Sequence, residues 1–243
     1  MATSFPFKPI ITDGLVFYID AINNKSYIGS GTSSYDMIDL KLGDIKNGTT
    51  FNNGFFDFDG IDDYINFGDV FDFDGSTPFS ISTWVKTSYN TTAQGTIVSK
   101  SKGVTPWTGY AIGFNICTST FQDIGKIGFT VVDDSTPSYV VIRRQSVNPI
   151  NDGLWHNAVI TYDGSKLRSG MLLYDNGLIT TMTNYDSSSF VGSLSNNINL
   201  EIGARDGAQY NSEVSIASTA IYNKALTETE VLQNYNAQKN RFI

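Results

Sequence analysis

The sequence has very few of the residues on which most catalytic and metal centres depend. Its 243 residues include one cysteine, Cys117, and one histidine, His156. A single cysteine cannot form an internal disulfide. A single histidine excludes every metal site or catalytic centre that needs two histidines. A Ser-His-Asp triad would have to use His156. We expect a structural histidine there instead, because it follows Trp155 at the start of a predicted strand.

Charged residues are also scarce, at 16% of the chain, and acidic residues outnumber basic ones by 24 to 16, which leaves a net charge of −8. The cations do not cluster, which excludes binding to nucleic acids by counterion release. The longest apolar runs, such as residues 15–19, fall far short of the roughly 18 residues of a membrane span. We expect no membrane insertion. We also expect no secretory signal, since the N-terminus lacks a basic start and contains Pro6 and Pro9.

Glutamate is absent from the first 200 residues. The chain has 20 Asp and four Glu, and all four Glu lie in the last 43 residues. Glutamate favours helices, whereas Asp and Asn favour turns. Alternating apolar and polar residues between these turns predict strands at residues 14–20, 56–59, 64–67, 79–87, 95–99, 109–115, 126–132, 139–145, 155–162, 169–175, 177–183, 197–203 and 214–222. The pattern predicts an all-β protein, a two-sheet antiparallel jelly-roll sandwich.

One short C-terminal helix is predicted after the last strand. Thr227 and Glu230 have the spacing of a capping box. The residues that follow, Val231, Leu232 and Tyr235, are expected to form an apolar face that packs on the sandwich.

Five blocks of sequence, in this order, resemble the laminin-G-like domains of the concanavalin A-like lectin/glucanase superfamily: FDGIDDYI (58–65), FSISTWVK (79–86), GLWHNAVITYDG (153–164), IGAR (202–205) and IYNKALT (221–227). The resemblance covers residues 13–243 and implies a single sandwich domain. That fold hosts lectins, hydrolases and structural modules, so it does not define the function. The ending, EVLQNYNAQKNR (230–241), is similar to laminin-G-like domains in virion proteins of tailed bacteriophages. The expected location is therefore a virion assembled in the host cytoplasm.

Residues 1–12 are predicted to form an extended N-terminal arm outside the domain. Proline fixes an extended backbone around four apolar residues, namely Phe5, Phe7, Ile10 and Ile11. We expect this arm to dock onto a partner such as a capsid or tail subunit; the alternative is a frayed terminus.

Seven Asp lie between residues 57 and 74. Oxygen ligands at this density suit Ca²⁺, and the resemblance implies a calcium site at the rim of the sandwich. The candidate ligands are Asp57, Asp59, Asp62 and Asp63. The alternative is that Asp59 and Asp62 cap a hairpin turn while Asp57 faces water.

Sugar-binding sites combine exposed aromatic faces with polar groups, usually on loops. Trp107 is the first candidate, because it lies between a proline and a glycine and outside the strand pattern. Tyr89, Tyr139 and Tyr210 are further candidates. The alternative for Trp107 is that its loop packs onto the chain's own sandwich.

The glucanases of the superfamily use two Glu flanking an Asp on one strand. Here Glu201 stands alone, and no Glu-x-Asp-x-Glu occurs. We therefore predict a non-enzymatic virion protein that serves in capsid decoration or tail or fibre adhesion. It would bind cell-surface glycans weakly, with contacts multiplied by copy number. The alternatives are a polysaccharide-degrading glycoside hydrolase with an Asp-based cleft and a bacterial carbohydrate-binding module. The oligomeric state, including a homo-oligomer, stays open.

Overall fold

A computed structural model describes residues 8–117, 123–133, 140–187, 189 and 192–242. Within them the chain forms seventeen strands and one α-helix. The strands are β1 Leu15–Asp20, β2 Ser33–Tyr35, β3 Leu42–Lys46, β4 Thr50–Asn52, β5 Phe55–Asp59, β6 Tyr64–Asn66, β7 Phe79–Lys86, β8 Gly95–Ser101, β9 Thr108–Phe114, β10 Lys126–Asp133, β11 Val140–Pro149, β12 Trp155–Tyr162, β13 Met171–Asp175, β14 Leu178–Ile179, β15 Met182–Asp186, β16 Glu201–Ile202 and β17 Glu213–Tyr222. The helix α1 spans Glu228–Gln238.

The strands form two sheets in which every described pairing is antiparallel. The first sheet has the order β14-β13-β12-β7-β17-β5-β4, with β1 also paired to β17. The second has the order β15-β11-β10-β9-β8-β16-β6-β3-β2. The predicted two-sheet antiparallel sandwich with one C-terminal helix is confirmed.

The alternation of side chains explains how the two sheets meet. In β5 the rings of Phe56 and Phe58 are buried in the core, while Asp57 points to the other face of the sheet, as a period of two requires. The ring centroids of Phe79 on β7 and Phe129 on β10 lie 5.9 Å apart, which joins the first sheet to the second across the core. The apolar sides of both sheets are thus removed from water.

The differences from the predicted strands lie mainly in short polar segments. The strands β2, β3 and β4 were not predicted, because segments such as Ser-Ser-Tyr and Thr-Phe-Asn carry too few apolar residues to show a period. The predicted strand at 177–183 is two strands, β14 and β15. The predicted strand at 197–203 is only Glu201–Ile202, and the one at 169–175 begins at Met171, after a 3₁₀ turn at Arg168–Gly170.

The capping box of α1 is confirmed. The backbone N–H of Glu230 donates to Thr227 Oγ1 at 3.3 Å, and the backbone N–H of Thr227 donates to Glu230 Oε2 at 2.9 Å. The predicted apolar face is wrong at Leu232, which is 41% exposed. The helix buries Val231, as predicted, and the polar Asn234 in place of Leu232.

The helix covers Trp84 on the outer face of the first sheet. The indole ring stacks against Tyr235 and Phe242, with centroid distances of 5.8 Å and 4.2 Å. Its Nε1–H donates to Gln238 Oε1 at 2.9 Å. Trp84 is fully buried as a result.

Residues 9–11 pack against the same helix. The backbone N–H of Ile11 donates to Asn234 Oδ1 at 2.7 Å, and Tyr222 OH donates to the Ile11 carbonyl at 3.1 Å. Gln233 Nε2 donates to the Pro9 carbonyl at 2.8 Å. These contacts place the end of the expected arm with the domain rather than outside it, because the chain's own helix and β17 satisfy its backbone groups.

In the ranges that the structure covers, no helix is long and apolar enough to cross a membrane.

Candidate functional site

A cavity of about 270 Å³ lies on the outer face of the second sheet. It is lined by Gln94, Trp107, Ile116, Thr130, Val132, Arg143, Arg205 and Tyr210. We refer to it as the Trp107–Tyr210 cavity.

Small residues on β9 leave room for this cavity. Thr130 and Val132 of β10 point away from the core, because their neighbours on the strand are core residues. Thr130 is paired with Ala111 on β9, and Val132 is paired with Gly109. Directly opposite residues share a face of the sheet. The outer face of β9 therefore carries at most a methyl group at these two positions, and the larger side chains around it form the walls.

Two of the predicted sugar-binding residues meet at this cavity. Trp107 lies immediately before β9, and Tyr210 lies in the loop of residues 203–212 between β16 and β17, which we call the β16–β17 loop. Both rings are half-buried. Sequence reasoning placed each of them on a loop but did not place them together.

The β16–β17 loop is held in an unusual backbone conformation. Arg205 and Gln209 exchange backbone hydrogen bonds of 2.8 and 2.9 Å. Between and beyond them, Asp206, Ala208 and Tyr210 have φ angles of +49°, +69° and +53°. Each left-handed residue that is not glycine costs on the order of 1–2 kcal/mol, and such strain is concentrated at binding sites.

Side chains from neighbouring segments support this loop. Glu201 on β16 accepts the Gly207 N–H with both carboxylate oxygens at 3.0 Å. The Gly103 N–H donates to Asp206 Oδ2 at 3.0 Å. Burial raises the pKa of Glu201 to about 7; the Gly207 N–H lowers it, and the charge of Asp206 raises it.

Two arginines give the cavity a positive lining. The Arg205 guanidinium carbon lies 4.9 Å from the centroid of the Tyr210 ring, a cation–π contact. Arg143 Nε donates to Thr130 Oγ1 at 3.3 Å, and its Nη1 lies 3.2 Å from Asp186 Oδ2. No acidic side chain is among the described residues that line the cavity. Aromatic rings and N–H donors of this kind suit the binding of polar ring-shaped ligands.

The other two aromatic candidates are not part of this cavity. Tyr89 packs on the core, with its ring centroid 6.2 Å from that of Phe114. Tyr139 lies outside the described residues, as do Phe5 and Phe7 of the predicted arm. Ile10 and Ile11 are half-buried, and Ile11 packs against the chain's own apolar cluster beside the helix.

Sequence reasoning missed the polar half of the cavity. Gln94, Thr130, Arg143 and Arg205 were not predicted as site residues. The block IGAR contained Arg205 but served only to identify the fold. No local signal marks the other three, because each belongs to a different strand or loop.

A second, larger cavity lies on the outer face of the first sheet. Its volume is about 550 Å³, and the charged side chains along it are Asp57, Asp59, Asp63, Lys86 and Glu213. We refer to it as the acidic cavity.

Three of the four predicted calcium ligands cluster together, and two of them, Asp59 and Asp63, line the acidic cavity. One carboxylate oxygen each from Asp59, Asp62 and Asp63 lies within 4.8 Å of the other two. Asp57 is not part of this group, and Ser215 Oγ donates to it instead. Asp59 Oδ1 also accepts the Ile61 N–H at 2.7 Å, so Asp59 caps the hairpin turn, as the alternative interpretation has it.

Asp63 is the buried member of the cluster. The residue is 3% exposed, its Oδ2 accepts the Asp59 N–H at 3.0 Å, and its Oδ1 has no hydrogen-bond partner among the described residues. Burial raises the pKa of Asp63, and the neighbouring charges of Asp59 and Asp62 raise it further, against the Asp59 N–H, which lowers it. A buried carboxylate oxygen without a donor is a suitable ligand for a hard cation.

His156 has two carboxylate partners. Its Nδ1 lies 2.8 Å from Asp175 Oδ1 and its Nε2 lies 3.2 Å from Asp152 Oδ1. Burial lowers the pKa of His156, but the hydrogen bonds and charges of Asp175 and Asp152 raise it by more. Both ring nitrogens are thus engaged, as in a structural histidine.

Comparison with known proteins identifies one family and several solved structures with the same fold. A laminin G family model, Laminin_G_3, described as the concanavalin A-like lectin/glucanases superfamily, matches residues 59–232. No curated protein matches the sequence.

Solved structures share the fold at low sequence identity. The binding domain of Paraclostridial Mosquitocidal Protein 1 matches with a TM-score of 0.68 and 17% identity, over 93% of this chain and 53% of that one. Trypanosoma rangeli sialidase in complex with sialic acid matches with a TM-score of 0.64 and 12% identity, over 95% and 34%. The botulinum neurotoxin serotype D binding domain matches with a TM-score of 0.62 and 16% identity, over 93% and 52%. The chain therefore spans between a third and about half of these structures.

Proposed function

Since the chain belongs to the concanavalin A-like lectin/glucanases superfamily, we propose that it is a non-enzymatic protein that binds cell-surface glycans through the Trp107–Tyr210 cavity. One observation carries the proposal: two aromatic rings from separate loops line a single cavity together with two guanidinium groups. Aromatic faces pack on sugar rings, and the surrounding donors can bind sugar hydroxyls.

We propose a virion as the setting, in which the protein decorates a phage capsid or forms part of a tail or fibre. The support is the likeness of residues 230–241 to phage laminin-G-like domains. Weak glycan contacts suffice there, because many copies on one particle multiply their effect. Mass spectrometry of purified phage particles should detect the chain at many copies per particle, and its absence from them would contradict this setting.

The glycan-binding proposal is tested on a glycan array with the wild type and Trp107→Ala. We expect Trp107→Ala to lower affinity at least about tenfold, since it removes from the cavity lining a stacking face worth more than about 1.4 kcal/mol. Trp107→Phe, which keeps a ring, should retain part of the affinity.

A matched control is Tyr35→Ala, which removes an aromatic side chain that is 41% exposed on β2, at the opposite edge of the sheet. It should leave binding unchanged. Silence of the wild type on the array, or equal binding by wild type and Trp107→Ala, would overturn the proposal.

We also propose that Asp59, Asp62 and Asp63 hold a Ca²⁺ ion at the rim of the sandwich. The donor set fits, because Ca²⁺ prefers carboxylate oxygens and Asp63 Oδ1 is buried with no donor in the part of the chain that the structure describes. The ion would stabilise the turn between β5 and β6. Glycan binding at the Trp107–Tyr210 cavity does not require it.

A glycoside hydrolase is the second candidate function, and the carboxylates of the acidic cavity favour it. Hydrolysis needs one carboxyl group on each side of the scissile bond. Asp59, Asp62 and Asp63 share one turn, so Asp57 or Glu213 would have to supply the opposite group. If the wild type releases reducing sugar from a polysaccharide and the double variant Asp57→Asn with Glu213→Gln does not, this function is established and the non-enzymatic one is refuted.

A further inference from the structure

We infer that the Trp107–Tyr210 cavity selects acidic sugars, meaning pyranose rings that carry a carboxylate. The inference rests on the proposed glycan binding and adds the class of ligand. It depends on the charge of the lining, the geometry of the two arginines and the size of the cavity.

The charge of the lining is opposite to that of the chain as a whole. The protein carries a net charge of −8, which repels anions from most of its surface. The lining of the Trp107–Tyr210 cavity includes two cations, Arg143 and Arg205, and no acidic side chain among the described residues; Asp186, the ion-pair partner of Arg143, is not part of the lining. The acidic cavity has four carboxylates and one cation, Lys86. An anionic ligand is therefore favoured at the first cavity and disfavoured at the second.

The two cations are arginines, and this matters for the ligand. A guanidinium presents parallel N–H donors whose spacing matches the two oxygens of a carboxylate. Arg205 is 8% exposed, and the side chain of Arg143 is 22% exposed. Charge-assisted hydrogen bonds are stronger in such partly dehydrated surroundings than in water.

Both guanidinium groups are held in place. The ring of Tyr210 supports Arg205, while Thr130 and Asp186 position Arg143. Positioned donors lose little entropy when a ligand binds. Because the arginines are charged, their hydrogen bonds to a carboxylate are stronger than those to a neutral hydroxyl group in the same place.

The size of the cavity limits how much of a glycan enters. At about 270 Å³ it is slightly smaller than the roughly 300–1,000 Å³ of common small-molecule sites. One terminal or branching sugar therefore fits, with Trp107 beside its ring and the carboxylate on the arginines. Sialic acids and hexuronic acids both have this chemistry.

The experiment measures binding of fluorescent oligosaccharides to the full chain. The acidic probes are sialyllactose and tetragalacturonate, which distinguish the two sources of the carboxylate. The matched neutral probes are the same oligosaccharides with each carboxyl reduced to a primary alcohol. The variants are Trp107→Ala, Arg143→Gln and Arg205→Lys. The substitution Arg205→Lys keeps the positive charge at this buried position but removes the parallel N–H donors of the guanidinium.

Lys25→Gln is the control variant. It removes one positive charge, as Arg143→Gln does, from an exposed residue beside β2 at the opposite edge of the sheet. Circular dichroism and the melting temperature confirm that each variant is folded. If Arg143→Gln is not folded, Arg143→Lys takes its place and should weaken the preference, as Arg205→Lys does.

We expect the wild type to bind at least one acidic probe at least about tenfold more tightly than its reduced counterpart, with affinity falling as salt rises. Arg143→Gln should remove this preference, Arg205→Lys should weaken it, and Lys25→Gln should leave it intact.

The outcomes separate the two proposals. Equal binding of acidic and reduced probes, lost in Trp107→Ala, overturns the selectivity and leaves the glycan site standing. A preference that persists in Arg143→Gln and Arg205→Lys places the carboxylate elsewhere and also overturns it. Failure of every probe and of the glycan array overturns both.

Discussion

Glu201 and Gly207 are joined by a hydrogen bond that both carboxylate oxygens share, each 3.0 Å from the Gly207 nitrogen. Glu201 is buried on the short strand β16, and Gly207 lies in the middle of the β16–β17 loop. The bond connects the second sheet directly to the segment that carries Arg205 and Tyr210. The shape of the Trp107–Tyr210 cavity therefore depends on a buried carboxyl group outside it.

This group makes stability depend on pH. Burial raises the pKa of Glu201 from 4.5 to about 7, so between these values the folded state binds more protons than the unfolded state. The free energy of unfolding then falls as pH rises from about 4.5 to about 7, by about 3 kcal/mol in total. Glu201→Gln keeps an acceptor for Gly207 and cannot ionise. We expect it to flatten the curve of melting temperature against pH in this window.

His156→Gln is the comparison for this experiment. The pKa of His156 is raised above 6.5, so its contribution is complete below about 6.5 and is lost as pH rises through the higher folded value. His156→Gln should change the curve above pH 6.5 and leave the lower part as in the wild type. An unchanged lower part in Glu201→Gln would contradict the assignment to Glu201.

Calcium should stabilise the protein through the Asp59, Asp62 and Asp63 cluster. An ion that binds only the folded state at 100 times its Kd adds about 2.7 kcal/mol to the free energy of unfolding. We expect a higher melting temperature in Ca²⁺ than in EDTA, and no difference in Asp63→Asn. Asp39→Asn, at an exposed aspartate outside the cluster, should respond as the wild type does. Equal melting temperatures of the wild type in EDTA and Ca²⁺ would refute the site.

Trp84 anchors the C-terminal helix to the first sheet. Trp84→Ala removes the surface on which Tyr235 and Phe242 stack and leaves a cavity, so it should cost about 3–5 kcal/mol in urea unfolding. Limited proteolysis should then cut within or just before α1. Trp155→Ala, at a half-buried ring, should cost less. A loss for Trp84→Ala no greater than that for Trp155→Ala would show that the helix is held elsewhere.

Gly113 on β9 permits close approach of β8. A Cβ at this position would lie 2.1 Å from the carbonyl oxygen of Gly95, so Gly113→Ala must displace β8 next to Gln94. We expect a loss of about 3 kcal/mol in urea unfolding and weaker glycan binding. A Cβ at Gly29 would meet no described atom within 4 Å, but the φ of Gly29 is +89°; Gly29→Ala should therefore cost about 1–2 kcal/mol and leave binding unchanged. Equal effects of the two variants would contradict the packing argument.

The sequence alone predicted the sandwich, most of its long strands and the capping box, because these depend on local patterns. Phe56-Asp57-Phe58 shows which face of a strand is buried, and Thr227 with Glu230 shows where a helix begins. It also placed Trp107 and Tyr210 outside the strand pattern. The sequence prediction failed at Leu232, because the buried side of α1 is determined by the residues of the sheet beneath it. There the helix packs on Trp84 through Tyr235, which leaves Leu232 exposed.

Only the tertiary structure decided which of these residues act together. The alternation along one strand predicts which of its side chains share a face. The strand order β11-β10-β9-β8-β16 determines which strands are neighbours, and so which side chains on the same face come together. That order results from the burial of both sheets at once, a sum of contacts between residues far apart in the chain. It brings Trp107, Arg143 and Tyr210 to one cavity, and it leaves Tyr89 on the core.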